Sequence, residues 1–157
     1  MLRRLLLALL VLALFPLTSA ARAQDRETPY WASLRVDEVN MRVGPSENYP
    51  IDWVYKRRNL PVKVVRLMQG WRLVRDPDGA EGWILARLLS PERSAIVVGK
   101  GLAPMRAAPD ASAALRWNAE PGVVGMLGDC DNGWCEFNVE GRKGWIEAKR
   151  LWGAGEP

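Results

Sequence analysis

Chemistry at a protein surface needs groups that attack, move protons or hold a metal, and this 157-residue chain is sparing with all of them: it has no histidine and two cysteines. Without histidine a Ser-His-Asp or Cys-His arrangement has no base, and a metal has no imidazole ligand. Paired carboxylates hydrolyse glycosides when they flank a sugar-sized cleft. Candidates such as Asp76 and Asp78 stand in Asp76-Pro77-Asp78-Gly79, where turn geometry alone accounts for each residue type. The sequence has no glycine-rich phosphate loop and no cofactor motif, so neither cofactor nor metal is expected.

The two cysteines carry a different chemistry. They enclose four residues in Cys130-Asp131-Asn132-Gly133-Trp134-Cys135, and Asn-Gly favours a two-residue hairpin because both central positions of a type I′ turn need positive φ. Such a turn sets Asp131 opposite Trp134 and Cys130 opposite Cys135. Facing cysteines on a non-hydrogen-bonded pair lie within disulfide reach. A redox or zinc pair usually has two intervening residues and further ligands, so a structural disulfide between Cys130 and Cys135 is expected.

What remains is binding surface. Lys56, Arg57 and Arg58 follow Trp53 and Tyr55, and three cations flanked by aromatic rings could hold an anionic glycan, peptide carboxylates or an acidic patch. The same run could equally be a solvated loop. Trp71 opens a strand after a turn, where its ring either enters the core or lies across a groove; aromatic faces suit both sugar rings and proline. Trp53, Tyr55, Lys56, Arg57, Arg58 and Trp71 are therefore the candidate ligand residues. Trp83 and Trp145, each between glycine and isoleucine, are expected in the core. Arg42 and Arg106, each just ahead of a loop proline, are expected to brace loop carbonyls.

The elements that position these residues are written twice. Met41-Arg42-Val43-Gly44-Pro45, Gly70-Trp71 and Gly82-Trp83-Ile84 return as Met105-Arg106-Ala107-Ala108-Pro109, Gly133-Trp134 and Gly144-Trp145-Ile146. The offsets run only from 62 to 64, as in a tandem duplication. Short runs rich in β-branched and aromatic residues at 36–43, 61–67, 71–75 and 82–85, and again at 96–98, 104–106, 122–127, 134–138 and 144–146, are bounded by turn residues and predict strands. The fold class is all-β. Each unit is near the lower size limit for a stable core; eight tryptophans compensate with large buried area.

At the N-terminus, Arg3 and Arg4 precede an apolar run over 5–17 and then Ala21-Arg22-Ala23. That order predicts a cleaved secretory signal over 1–23, since a run broken by Pro16 is short of the roughly 20 residues a helix needs to span a bilayer. Arg3, Arg4 and Arg22 leave with it and no acid does, so the net charge falls from +4 to +1. Nucleic acid, which demands concentrated positive charge, is not an expected partner, and no membrane insertion is expected after cleavage. The expected layout is a polar lead-in over 24–32, a first barrel over 33–90, a linker over 91–94, a second barrel over 95–153 and a tail over 154–157. So short a linker predicts two units packed together or held at a nearly fixed angle.

Asn40-Met41-Arg42-Val43-Gly44-Pro45, Gly70-Trp71-Arg72-Leu73-Val74, Asp78-Gly79-Ala80-Glu81-Gly82-Trp83-Ile84 and Leu88-Leu89-Ser90 together resemble a bacterial Src-homology-3-type (SH3) domain. The second copy resembles the family more loosely, with Pro104 in place of Asn40 and Ala108 in place of Gly44. The resemblance implies two small SH3-like β-barrels in tandem in the Gram-negative envelope, periplasmic or secreted, binding peptidoglycan or an envelope protein. The tyrosine-bearing motif of polyproline-binding eukaryotic relatives is not found. With no catalytic constellation and no room for a further domain, the expectation is a non-catalytic binding or scaffold protein, not an enzyme. Its first barrel would present the ligand groove; the alternative is a purely structural assembly module of the periplasm.

Overall fold

The structure is a computed structural model, described here for residues 27–157. The signal expected over 1–23 and the first residues of the lead-in lie outside the described residues. The first unit comprises β1 (Tyr30–Leu34), β2 (Val39–Arg42), β3 (Ile51–Tyr55), β4 (Pro61–Met68), β5 (Trp71–Arg75), β6 (Glu81–Leu85), a 3-10 turn at Ala86–Leu88 and β7 (Leu89–Ser90). The second repeats the order: β8 (Ser94–Val97), β9 (Ala103–Arg106), β10 (Leu115–Ala119), β11 (Val124–Asp131), β12 (Trp134–Val139), β13 (Arg142–Glu147), a 3-10 turn at Ala148–Arg150 and β14 (Leu151–Trp152). Each forms one seven-stranded sheet, ordered β3-β2-β6-β5-β4-β1-β7 and β10-β9-β13-β12-β11-β8-β14. Neighbours pair antiparallel throughout. Among the described residues no helix is long and apolar enough to cross a membrane.

The repeated motif is explained by packing. A Cβ on Gly82 would come within 2.4 Å of the Met41 Cγ, and one on Gly144 within 3.0 Å of the Met105 Cβ. Glycine on β6 and β13 thus makes room for the buried methionine of β2 and β9. The arginine that follows each methionine reaches the hairpin loop: Arg42 Nη1 donates to the Tyr49 carbonyl at 2.7 Å and Arg106 Nη1 to the Ala113 carbonyl at 2.8 Å. Ile84 and Ile146, after each tryptophan, are fully buried. Met-Arg and Gly-Trp-Ile are therefore one structural device, used once per barrel.

Alternation along the strands fills the cores. Leu34, Val39, Met41, Val62, Val64, Val74 and Ile84 fill the first; Val97, Met105, Cys135, Phe137, Ile146 and Leu151 fill the second. Cys130 and Cys135 face one another across the β11–β12 hairpin and are disulfide-bonded, with Cα atoms 4.0 Å apart. Asn132 and Gly133 both have positive φ, as the turn requires.

Several element edges differ from expectation. β1 opens at Tyr30, inside the expected lead-in, because Trp31 and Ala32 are buried against the sheet. β8 opens at Ser94, inside the expected linker. The lead-in and linker were read from their polar residues, yet backbone pairing to β4 and β11 draws them in. β3 and β10, largely exposed edge strands, were not among the expected strands, although Ile51, Trp53, Val54 and Tyr55 are strand-favouring types.

The barrels pack together. The rings of Trp31 and Trp152 meet edge to face with centroids 4.8 Å apart, and the Trp31 indole N–H donates to the Gly155 carbonyl at 3.0 Å. Arg93 Nη2 donates to the Gly153 carbonyl at 2.7 Å. Ile96 and Val124 of the second unit pack on the first core. The expected tail is thus part of the junction.

Candidate binding groove

The six predicted ligand residues do not form one surface. Tyr55 pairs with Val39 on the core side of β3 and is buried; its hydroxyl donates to Asp76 Oδ2 at 2.9 Å. Burial first, and the Asp76 hydrogen bond second, push this hydroxyl well above the ordinary tyrosine range. Asp76 Oδ1 in turn accepts the backbone N–H groups of Asp78 and Ala80 at 3.0 and 2.8 Å. The Asp-Pro-Asp-Gly carboxylate is a turn brace with a buried phenol as its third partner.

Trp71 is also buried, although its edge lines a polar cleft of about 250 Å³ with Arg42, Glu47 and Arg87. Lys56 lies 3.7 Å from the Glu38 carboxylate, an exposed pair. Arg57 Nη1 crosses to the second barrel and donates to the Gly122 carbonyl at 2.8 Å. Arg58 is exposed. Trp53 is 58% exposed on the edge strand β3. Trp53 and Tyr55, two apart on β3, share a side of the strand but differ in burial, Tyr55 lying in the core and Trp53 at the open edge, and the cations continue past the strand end.

A groove lies on the second barrel, which was expected mainly to support the first. It has a volume of about 320 Å³ and runs over Trp145, Phe137 and Met126, with Arg116, Lys143 and Glu136 around it. A shallower extension continues from Arg116 and Lys143 to Trp117, whose ring lies 5.7 Å beneath the Arg142 guanidinium. Trp145 is half-buried, so one part of its ring is available as a floor. Such a groove offers apolar surface for a flat body and charge of both signs for its ends. Among the described residues no group of three or more cysteine, aspartate or glutamate side chains is placed to hold a metal ion.

Sequence reasoning missed this groove because its residues come from four strands. Arg116 on β10, Glu136 on β12 and Lys143 and Trp145 on β13 form no run. The signal that could have found them is a comparison of the two copies position by position.

The family model for the bacterial SH3 domain matches residues 35–91 and 99–153, one stretch per sheet. The chain belongs to the bacterial SH3 domain family. Among curated proteins it is 25% identical over 154 residues to YrvJ of Bacillus subtilis (strain 168), an inferred N-acetylmuramoyl-L-alanine amidase. That match takes in 91% of this chain and 29% of YrvJ, so the chain spans less than a third of that relative. Solved structures of similar shape include NlpC2 from Trichomonas vaginalis (TM-score 0.36, 16% identity, 81% of this chain and 49% of that one) and an NlpC/P60 family protein from Bacillus cereus ATCC 10987 (TM-score 0.35, 13% identity, 78% and 56%).

The match to an inferred amidase overturns the expectation of a non-catalytic scaffold that is no enzyme. That expectation rested on the missing histidine and on a domain count. Residue content within a binding fold reports what the fold can do, not the reaction that the fold serves.

Proposed function

We propose that this bacterial SH3 pair works in peptidoglycan hydrolysis, in the envelope or outside the cell, by holding the wall polymer. The observation that carries the reading is the match to the amidase YrvJ over 91% of this chain, which takes in both domains together. Peptidoglycan joins flat sugar rings to short peptides bearing carboxylates and amines. The groove over Trp145, with Arg116, Lys143 and Glu136 around it, offers a surface of matching chemistry. Export through the signal expected over 1–23 to the periplasm belongs to the same proposal, and the Cys130–Cys135 disulfide supports an oxidising compartment.

Two measurements test it. The full chain is mixed with purified sacculi and centrifuged, and cells lacking the chain are assayed for peptidoglycan fragments released during growth. Sedimentation with the sacculi and reduced fragment release are expected. A chain that stays in the supernatant, with fragment release unchanged, overturns the reading.

A further inference from the structure

The two barrels share a backbone, yet around the central tryptophan three matched positions carry charges of opposite sign in the two. Register fixes the correspondence. Arg75 pairs with Glu81 where Asn138 pairs with Lys143, and Leu73 pairs with Trp83 where Glu136 pairs with Trp145. Trp53 and Trp117 sit opposite Met41 and Met105, so Asp52 matches Arg116. On β4 and β11 the offset is 63, since Lys63 pairs with Arg75 as Met126 pairs with Asn138, and Leu67 pairs with Arg72 as Cys130 pairs with Cys135. Lys63 therefore matches Met126 and Arg66 matches Asp129.

In the first barrel most of these charges are met by its own side chains. The Arg66 guanidinium lies 5.1 Å over the Trp83 ring, which is only 5% exposed. Arg75 Nε donates to Glu81 Oε1 at 2.8 Å, and the Lys63 ammonium lies 5.3 Å over Trp31. In the second barrel no cation covers Trp145, and the Arg116, Lys143 and Glu136 side chains make no hydrogen bond or ion pair within the described residues. One surface is closed by its own side chains; its duplicate has an open aromatic floor, two free cations and one free carboxylate.

We infer that the groove of the second barrel alone is a ligand site, and that it takes a short peptide bearing a free carboxylate and a free amine. The carboxylate is held by Arg116 and Lys143, the amine by Glu136, and the peptide body lies on Trp145. This deepens the wall-binding proposal and rests on it, naming the peptide portion of the polymer rather than the glycan. Charge complementarity carries the assignment: a neutral glycan would leave three charges unused, whereas a peptide with free ends pairs with all of them.

The test follows the Trp145 indole N–H signal of the full chain by NMR during titration with trialanine, with acetylated and amidated trialanine, and with the trimer of N-acetylglucosamine. Free-ended trialanine is expected to move the signal, and blocking both ends or making Arg116→Ala is expected to weaken binding about tenfold or more. Asp129→Arg, which installs the first barrel's cation opposite Trp145, is expected to abolish the shift. Equal binding of blocked and free peptide, a response to the glycan trimer alone, or no response to trialanine overturns the inference. Sacculus binding separates the two claims: a chain that sediments with sacculi while trialanine leaves Trp145 unmoved keeps the wall reading and loses the peptide site.

Discussion

Phe137 occupies the space that a side chain at Gly125 would need: a Cβ there would stand 2.8 Å from the ring and 2.7 Å from the Asn138 carbonyl oxygen. In the first barrel the matched residues are Val62 and Val74, both fully buried. The duplicate trades two medium side chains for one large and one absent, a volume-conserving exchange of the kind that cores tolerate. Gly125→Ala is therefore expected to destabilise the second barrel by about 1–3 kcal/mol, as overpacking does, read as a lowered denaturation midpoint.

Tyr55 and Asp76 predict an alkaline limit to stability. The folded protein raises the Tyr55 hydroxyl above its ordinary value, so the native state keeps a proton that the unfolded chain releases near about pH 10. The contribution is complete below that pH and is lost as pH rises toward the folded value. Denaturation between about pH 8 and pH 11 should show stability falling above about pH 10, with the fall flattened in Tyr55→Phe.

Trp71 and Trp53 should separate cleanly. Trp71 is buried, so Trp71→Ala is expected to cost about 3–5 kcal/mol. Trp53 is largely exposed, and Trp53→Ala is expected to change stability by no more than about 0.5 kcal/mol. Equilibrium unfolding of the two variants checks both.

Reduction tests the hairpin staple. Cys130 and Cys135 are separated by five positions, and closing so short a loop in the unfolded chain is worth about 2 kcal/mol. Adding a thiol reductant should lower the unfolding midpoint of the second barrel and leave the first unmoved, resolved by tryptophan signals assigned to each unit.

The junction should be breakable without unfolding either barrel. Trp31→Ala removes the edge-to-face contact with Trp152 and the hydrogen bond to Gly155, and adding Arg57→Ala removes the bond to Gly122. The double variant is expected to have a larger radius of gyration in small-angle scattering than the wild type, with circular dichroism unchanged.

Much of the fold was legible because its signals are local. Asn132-Gly133 sets a two-residue turn whatever surrounds it, and that turn alone puts Cys130 opposite Cys135. Met41, Arg42, Gly82 and Trp83 were visible as a repeat, but that Gly82 is small because Met41 lies on it is a contact between distant strands. The candidate site was less legible for the same reason. Trp53, Tyr55 and Lys56 are neighbours in the chain, yet Tyr55 is in the core while Trp53 and Lys56 are exposed, whereas Arg116 and Lys143 are far apart in the chain and line one groove. Trp71 was open between core and groove, and it is both: a buried ring with one edge on a cleft.

The hydrogen bond from Trp31 to Gly155 spans 124 residues, nearly the whole described chain. The first core takes in Ile96 and Val124 of the second unit, so it is complete only once β11 has been synthesised, and the clasp on Trp31 waits for Gly155 to emerge. A nascent chain therefore passes through a stage in which the first barrel is complete, the second is forming and the indole of Trp31 still lacks its partner. A chain stalled before Gly155 would hold both barrels and the Trp31–Trp152 and Arg57–Gly122 contacts, and would lack the hydrogen bond that fixes the Trp31 indole.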